Sequence, residues 1–206
     1  MTGERILRYD ADDILRAFDP SNRLDQYFRL LAQENRRLNL VSRETMADQF
    51  SVLRRLAVES LVPLSVINRE SFESYLDIGS GGGIPAIPLI LTGKIKHATL
   101  VERTQKKAAA LRRMLIALDL RAEIIPNSFE QITWDKGFDL VTLRLVKLTQ
   151  KMLNRILPLL NPGGYFVHYA IVDLPFSEPG IERTVYKCQS TDEPGAGRFT
   201  LYHKQF

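Results

Sequence analysis

The chain has 206 residues with 45% hydrophobic content and a mean hydropathy of −0.13, which fits one globular domain with an appendage. Its formal net charge of +4 is compatible with a nucleic-acid partner but does not require one. No apolar run approaches the roughly 18 residues of a membrane span, and no signal-peptide core follows the start, so we expect a cytoplasmic protein with no membrane partner. One cysteine, Cys188, and scattered histidines exclude a disulfide framework and predict no metal site.

The first 70 residues predict a helical extension. Apolar residues recur at helical spacing from Leu24 to Leu38, after a cap at Ser21, and a second helical segment covers residues 44–58. The pattern changes near residue 71. We therefore divide the chain into an N-terminal helical extension, residues 1–70, and a second domain, residues 71–206.

The second region alternates strands and helices. Strands are predicted at 75–79, 98–102, 122–125, 138–143 and 165–170, with helices at 84–91, 104–118 and 147–160. This order predicts an α/β fold with a doubly wound, mostly parallel sheet. Residues 182–190 and 198–204 complete seven strands as an antiparallel hairpin, since their connection is too short for a helix. The hairpin favours a Rossmann-like class I methyltransferase sheet over a dinucleotide dehydrogenase, whose parallel pattern would continue.

A glycine cluster follows the first strand of this region directly. Gly79 and Gly81 can adopt backbone angles that are closed to other residues, and Gly83 lets a helix pack close to the strand. A ligand could therefore approach bare main chain here. An ordinary structural turn is the alternative, because glycines mark turns of many kinds.

Two carboxylates accompany the glycines. Asp77 stands two residues before the first glycine, and Glu102 ends the next strand. An acidic residue roughly 20 residues beyond such glycines suits bidentate contact with ribose hydroxyls. The alternative for Glu102 is a charge that stabilises a helix N-terminus next to Thr104. Together with the glycines, these residues predict a site for a nucleoside derivative.

Basic residues are concentrated on the helix at 104–118 and its flanks. The set comprises Lys94, Lys96, Arg103, Lys106, Lys107, Arg112, Arg113 and Arg121, against only Glu102 and Asp119. Such a face either contacts nucleic-acid phosphates or is simply solvated. We predict an RNA-binding surface made of Lys106, Lys107, Arg112 and Arg113, together with Arg36 and Arg37 of the first helical region.

Several segments match those of one known family, in the same order. Residues 35–42 read Asn-Arg-Arg-Leu-Asn-Leu-Val-Ser, residues 76–89 carry the glycine loop with two prolines, and residues 106–112, 138–144 and 198–204 add further matches. Together they resemble the ribosomal RNA small subunit methyltransferase G family, also called glucose-inhibited division protein B. The resemblance implies S-adenosylmethionine as cofactor, small-subunit (16S) ribosomal RNA or the small ribosomal subunit as partner, and methyl transfer to guanine N7. We expect a monomer.

The resemblance and the positions in the fold also imply roles for individual residues. Asp77 would hold the glycine turn or bind the methionine amino group, and Glu102 would bind ribose. The methionine portion would lie on the backbone of Gly79, Ser80 and Gly81, beside Ile84 and Gly83. Phe129 and Glu130 match the family's adenine-contacting pair, with a helix cap begun by Ser128 as the alternative. Arg144 matches an arginine at the active-site edge and would be catalytic, in contact with either the cofactor's carboxylate or the O6 and N7 edge of the guanine, with a surface ion pair as the alternative. His168 is interpreted as a core or rim residue.

The chain departs from the family's pattern in three places. The family segment Arg-His-x-x-Asp-Ser-Leu reads Arg-Leu-Ala-Val-Glu-Ser-Leu at residues 55–61, which places Leu56 at the histidine position. The Ser-Arg-Ala segment reads Leu-Arg-Leu at residues 143–145, and Ala170 replaces an expected lysine. An RNA methyltransferase, a catalytically silent RNA- or ribosome-binding module that retains the pocket, and a nucleotide-cofactor oxidoreductase therefore stay open as hypotheses.

The residues themselves constrain the acceptor. The Asn/Asp-Pro-Pro-aromatic segment used for exocyclic amines is absent after the fourth strand, where residues 142–145 read Thr-Leu-Arg-Leu. Cys188, the thiol that attack on pyrimidine carbon-5 would require, lies far along the chain from the glycine loop. Guanine N7 presents an in-plane lone pair and needs no general base, so it is compatible with this sequence.

Overall fold

One mixed sheet organises the molecule. The structure is a computed structural model that describes residues 2–41, 49–170, 174, 176, 178–192 and 196–206. Its strands are β1 (Thr2–Tyr9), β2 (Phe72–Ile78), β3 (Ile95–Val101), β4 (Glu123–Ile125), β5 (Phe138–Leu143), β6 (Leu160–His168), β7 (Ile181–Ser190) and β8 (Ala196–Lys204). Within these ranges they form an eight-stranded sheet in the order β1-β7-β8-β6-β5-β2-β3-β4. All neighbouring pairs are parallel except those of β8 with β6 and β7.

Helices cover both faces of the sheet. They are α1 (Ala11–Phe18), α2 (Arg23–Asn35), α3 (Gln49–Leu61), α4 (Ala86–Leu91), α5 (Gln105–Ala117) and α6 (Gln150–Ile156), with short 3₁₀ turns at Val62–Ser65, Phe129–Gln131 and Leu157–Leu159. Helices α1 to α5 pack into one buried cluster and α6 into a second. Successive strand residues such as Leu140 and Val141 enter different clusters, because side chains alternate across a sheet. No helix in the described ranges is long and apolar enough to cross a bilayer.

The predicted fold class is confirmed, with one strand more than the seven predicted. Strand β1 pairs in parallel with β7 at the edge of the sheet, from Thr2 opposite Arg183 to Tyr9 opposite Ser190. The Asp192 carboxylate accepts a hydrogen bond of 2.9 Å from the Ala11 amide and secures the connection to α1. A helical prediction for residues 1–70 misses this strand because its partner is distant in sequence. The domain boundary at residue 70 stays a prediction.

The start of α2 differs from the sequence-based expectation. Asn22, not Ser21, occupies the cap position, and its side chain makes no capping hydrogen bond. The Asp19 carboxylate accepts from the amides of Arg23 and Leu24 at 2.8 and 3.1 Å instead, which satisfies the free donors of the first turn. The predicted helix at 44–58 corresponds to α3, although residues 42–48 lie outside the described residues.

The helix predicted at 147–160 is shorter, and the strand after it starts earlier. α6 ends at Ile156, and β6 begins at Leu160 with an irregular register against β5. The Asn161 side chain donates to the Asp139 carboxylate at 2.9 Å and lies where a Cβ on Gly137 would be only 2.0 Å from its Oδ1 atom. This contact holds residues 160–164 beside β5, ahead of the strand start predicted at residue 165.

Candidate active site

A cavity of about 900 Å³ lies at the carboxyl ends of β2, β3 and β5. From β2 the chain continues to β3 and β4 on one side, and it then returns to place β5 on the other side of β2. Open α/β sheets bind ligands at such a point, where the strand order reverses. The walls come from the ends of β2 and β3, the glycine loop, the first turn of α5, residues 127–130, residues 144–147 and residues 39–41. The structure thus brings together segments that span more than half of the chain.

The three glycines of the loop have different surroundings. Each has a positive φ, +77° at Gly79, +52° at Gly81 and +93° at Gly83. A Cβ on Gly79 would lie 2.6 Å from Val146 Cγ2, and one on Gly83 would lie 2.6 Å from Ile87 Cδ1, so both positions are closed by packing. A Cβ on Gly81 would meet only the Gly79 carbonyl oxygen, at 3.8 Å. Gly81 therefore leaves the space through which a ligand could approach main chain.

Residues between β1 and β2 support the glycine loop from outside. The Tyr27 hydroxyl donates to the Gly82 carbonyl at 2.8 Å. The Asn35 side-chain oxygen accepts from the amides of Leu40 and Val41 at 2.7 and 3.0 Å, which folds residues 38–41 into the cavity wall. The Asn-x-x-x-Asn-Leu pattern signals this turn, whereas nothing in the sequence pointed to Tyr27 as a support.

Asp77 is buried beneath the cavity floor at the end of β2. It is 1% exposed, its Oδ1 atom accepts a 2.5 Å hydrogen bond from the Thr142 hydroxyl, and its Oδ2 atom has no partner among the described residues. Burial raises the pKa of Asp77 to about 6. The Ser80 hydroxyl donates to the Asp77 carbonyl at 3.3 Å, which links this residue to the glycine turn. Both predicted roles of Asp77 stay predictions, and the partnerless oxygen is compatible with an ammonium ligand.

We expect Asp77→Asn to stabilise the protein in a pH-dependent way. The pKa of about 6 in the folded state exceeds the ordinary value of 3.8, so folding favours the protonated carboxyl, and this contribution to stability is lost as the pH rises from about 4 to about 6. Asparagine does not titrate. The advantage of the variant in the free energy of unfolding should therefore grow by about 1 kcal/mol between pH 5 and pH 8, at 1.36 kcal/mol per pKa unit. Urea unfolding of both proteins at each pH measures it, and a pH-independent difference would show that Asp77 has an ordinary pKa.

Glu102 connects the glycine loop to α5. Its carboxylate accepts 2.9 Å and 2.7 Å hydrogen bonds from the amides of Gly81 and Thr104, and the side chain is 6% exposed. Thr104 occupies the cap of α5 without a side-chain capping bond, so Glu102 takes over that function. The alternative interpretation of Glu102, as a charge at the N-terminus of a helix, thus corresponds to its hydrogen bond with the Thr104 amide. Ribose binding stays compatible with it, because each carboxylate oxygen has a second lone pair and Glu102 lines the cavity.

Phe129 and Glu130 form a 3₁₀ turn on the opposite wall. The Phe129 side chain is 3% exposed and packs on Trp134 at a centroid distance of 6.2 Å, with the Arg155 guanidinium 5.7 Å from its ring centre. Ser128 makes no capping hydrogen bond to the turn. Because the phenylalanine ring points into the core, the main chain at 129 and 130 is left to line the cavity. This geometry is compatible with the adenine-contacting role, which stays a prediction.

Arg144 lies between the sheet and α3. Its guanidinium donates to the Leu56 carbonyl at 3.2 Å and to Glu59 Oε2 at 3.0 Å, and it lies 5.7 Å from the centre of the Tyr169 ring. The side chain is only 10% exposed, and it lines both the main cavity and a neighbouring cavity of about 190 Å³. Arg144 therefore forms an ion pair, as the alternative interpretation expected, but the pair is buried and does not lie on the surface. Sequence reasoning missed Glu59 as that partner, although it stands at the family's aspartate position.

Cys188 and His168 lie outside the main cavity. Cys188 is 4% exposed and lines the smaller cavity, and burial raises the pKa of its thiol to about 12. His168 is 3% exposed, and burial lowers its pKa to about 4. Its Nδ1 atom has no hydrogen-bond partner among the described residues. His168 is a core residue, as interpreted from the sequence, and Cys188 remains a neutral thiol at physiological pH. No three His, Cys, Asp or Glu side chains in the described part of the chain cluster as a metal would require.

One ion pair joins the two helices that carry the predicted RNA-binding residues. The Glu34 carboxylate accepts 2.8 and 2.5 Å hydrogen bonds from Arg113, which joins the end of α2 to α5. Arg36 and Arg37, both exposed, follow Glu34 by two and three residues at the end of α2. We call Arg36, Arg37, Lys106, Lys107 and Arg112 the basic surface. Arg113 is left out because Glu34 compensates its charge locally.

Leu56 and Leu145, two of the positions that depart from the family's pattern, lie close to Arg144, and Ala170 lies beyond the end of β6. Leu56 lines the main cavity, and its carbonyl holds the arginine. Leu145 is 97% exposed at the cavity mouth, with a φ of +58°. The Ala170 carbonyl, just beyond β6, accepts a 2.9 Å hydrogen bond from the Thr200 hydroxyl. Leu56 and Leu145 thus form part of the wall of the main cavity, whereas Ala170 does not line it.

Comparisons with known proteins support the same family. Residues 21–171 match the family model of GidB, the rRNA small subunit methyltransferase G. The chain belongs to this family. A ribosomal RNA small subunit methyltransferase G from Helicobacter acinonychis is 35% identical over 147 residues, which cover 71% of this chain and 79% of the relative. One from Chlorobium phaeobacteroides is 30% identical over 158 residues, covering 77% and 70%.

Solved structures support the fold. An O-methyltransferase from Bacillus cereus in complex with SAH aligns with a TM-score of 0.62 at 15% identity, covering 94% of this chain and 96% of that one. Membership of the methyltransferase G family confirms the predicted enzyme class and S-adenosylmethionine as its cofactor. The cavity fits this cofactor. Gly81 leaves main chain accessible, Asp77 has a partnerless buried oxygen below the loop, and Glu102, which accepts from the Gly81 amide, lines the cavity at the end of β3.

Proposed function

We propose that this protein transfers a methyl group from S-adenosylmethionine to small-subunit ribosomal RNA, at N7 of a guanine. The observation that carries the proposal is the continuity of the cofactor cavity with the basic surface. Lys107 belongs to both, and Arg103 and Lys147 add two further exposed cations to the cavity rim. A polyanion bound along α5 would therefore place its nucleobases at the cavity mouth.

The arrangement suits a direct displacement. The bound cofactor supplies a methyl group on a positively charged sulfur, and the main contribution of the protein is to position two reactants in a dry site. The described residues that line the cavity include no cysteine and no histidine, so they offer no thiol or imidazole for covalent or base catalysis. Guanine N7 needs neither, because its lone pair lies in the ring plane and carries no proton. The lining thus supports N7 as the acceptor atom.

Two other functions were left open by the sequence. An oxidoreductase of the dinucleotide-binding class is disfavoured, because β8 lies antiparallel between β6 and β7 and the chain belongs to a methyltransferase family. A catalytically silent RNA-binding module would have the same fold and the same cavity. Only a measurement of methyl transfer separates it from an enzyme.

Mass spectrometry of 16S ribosomal RNA nucleosides tests the proposal. Small-subunit RNA from cells with and without this protein should differ in 7-methylguanosine, and purified protein with S-adenosylmethionine should restore the difference. Calorimetry should show binding of S-adenosylmethionine and none of NAD. Cofactor binding without any change in 7-methylguanosine would favour the silent module, while another methylated nucleoside would correct the acceptor.

Neutralising two residues of the basic surface should weaken binding to small-subunit RNA in a salt-dependent way. In a Lys106→Gln, Arg112→Gln double variant, the slope of log affinity against log salt should flatten by about 1 to 2, because each lost phosphate contact removes about 0.7 to 0.9. The matched control is Arg5→Gln with Lys187→Gln, which changes the net charge equally at the far edge of the sheet. Equal slopes for the two double variants would identify the basic surface as a solvated face. Filter binding over a series of salt concentrations measures both.

The remaining expectations concern the state of the protein. We propose a monomer that acts in the cytoplasm on the small ribosomal subunit or its RNA. The basic surface and the family support the RNA partner. Light scattering of the purified protein tests the monomer, and methyl transfer to naked RNA against isolated subunits decides between the two forms of substrate.

A further inference from the structure

Leu145 combines two unfavourable features at the mouth of the cofactor cavity. It is 97% exposed, which is the highest value among the large apolar side chains of the described residues. Its φ of +58° lies in the left-handed region, which costs a side-chain-bearing residue roughly 1–2 kcal/mol. Glycine or asparagine would adopt this conformation more readily. A leucine here therefore costs the free protein both strain and hydrophobic exposure.

Both neighbours of Leu145 are anchored. The Arg144 guanidinium is bound to Glu59 and the Leu56 carbonyl, and Val146 fills the space beside the missing side chain of Gly79, 2.6 Å from where a Cβ would be. With its flanking residues held by α3 and by the glycine loop, the leucine is directed outward. Strain of this kind persists where the surroundings enforce it, and it is concentrated at ligand-binding sites.

The surroundings indicate what covers Leu145. The residue lines the same cavity as Gly81 and Glu102, and Lys147 follows two positions later as an exposed cation at the rim. An apolar side chain among cations matches one ligand chemistry well, namely a nucleobase whose flat face is apolar and whose neighbouring phosphates are anionic. A base presented to a buried methyl donor must also leave its stack.

We infer that Leu145 packs against the face of the acceptor guanine and holds it, unstacked, at the cavity mouth. The inference rests on the proposed function. It makes Leu145 a substrate-contact residue that this chain carries where the family has a smaller alanine. Its contribution should appear in the affinity for RNA and leave the cofactor site unchanged.

The test compares Leu145→Gly, Leu145→Asn and Leu145→Met in methyl transfer to small ribosomal subunits isolated from cells that lack this protein. Glycine and asparagine both tolerate a positive φ, so these variants should fold at least as stably as the wild type. We expect each to raise the KM for subunits at least about fivefold, and to change the Kd for S-adenosylmethionine less than twofold, whereas methionine keeps the apolar contact and a wild-type KM. Ile6→Ala, which removes an exposed apolar side chain of β1 at the far edge of the sheet, is the matched control and should change neither constant.

Several results would overturn the inference. A wild-type KM in the glycine and asparagine variants would show that Leu145 contacts nothing, and a loss confined to glycine would attribute the effect to backbone flexibility. An equal rise in KM in Ile6→Ala would show that removing any exposed apolar side chain has this effect. If the wild type binds cofactor but methylates no subunits, the proposed function is wrong. In that case filter binding tests the Leu145 contact separately, and equal affinities of the wild type and Leu145→Gly for subunits would reject it.

Discussion

Gly81→Val is expected to abolish detectable binding of S-adenosylmethionine while leaving the protein folded. A Cβ at this position would point into open space within the cavity, with its nearest reported neighbour 3.8 Å away, so the added methyl groups would occupy the volume through which the cofactor reaches main chain. The amide of Gly81 also holds Glu102, which is expected to bind ribose, so a shift in the loop would affect both ends of the ligand. Calorimetry with S-adenosylmethionine measures the loss.

Gly93→Val provides the matched control for this variant. Gly93 has a φ of +73° and nothing within 4 Å of a Cβ, so valine is strained there as it is at Gly81, but the residue lies in the turn after α4 and not in the cavity. Both variants should lose similar stability in thermal unfolding, and only Gly81→Val should lose cofactor binding. Wild-type affinity in Gly81→Val would show that the cofactor does not approach this glycine.

Arg144→Lys is expected to lower methyl transfer at least about tenfold, or roughly 1.4 kcal/mol of transition-state stabilisation. Lysine can keep the charge opposite Glu59, but it cannot reproduce the planar fork that contacts Glu59 and the Leu56 carbonyl together. Arg144→Ala should lose more, and it should also destabilise the protein, because Glu59 would lose its guanidinium partner. Single-turnover methyl transfer at saturating cofactor measures the effect.

Arg69→Lys is the matched control for Arg144→Lys. Arg69 pairs with Asp139 at 3.1 Å and lies 5.5 Å from the centre of the Phe72 ring, so it has the same kind of partners as Arg144, far from the cavity. It should lose stability and keep methyl transfer. A weakened cofactor Kd in Arg144→Lys would place the guanidinium near the cofactor's carboxylate, whereas a loss of turnover alone would place it near the guanine. Wild-type turnover in both Arg144 variants would leave the arginine a structural ion-pair residue.

Much of the fold could be read from the sequence because the relevant signals are local. The alternation of apolar strands and helices from residue 72 onward, the short connection between β7 and β8, and the glycines before α4 each act through nearby residues. The order of strands then follows from general rules of connection. The cofactor site could be predicted for the same reason. Asp77, Gly81 and Glu102 lie at or just after the carboxyl ends of two consecutive strands, and these ends are neighbours because the two strands pair in parallel.

Other features depended on partners that are distant in sequence. Strand β1 exists because β7 offers it an edge, and the end of α2 is joined to α5 because Glu34 binds Arg113. Arg144 is buried because Glu59 reaches it from α3, 85 residues earlier in the chain. No local pattern predicts such pairs, because each residue alone is compatible with a solvated position.

The sequence by itself determined the family, the cofactor class and the residues at the strand ends, because spacing along the chain sets which groups a βα unit presents. Only the tertiary structure decided the protonation and accessibility of those groups. Asp77 has a raised pKa because the sheet buries it without a partner for one oxygen, and Leu145 is exposed and strained because its two neighbours are held by different elements. Solvation and strain depend on everything packed around a residue, so they arise only when the whole chain has folded.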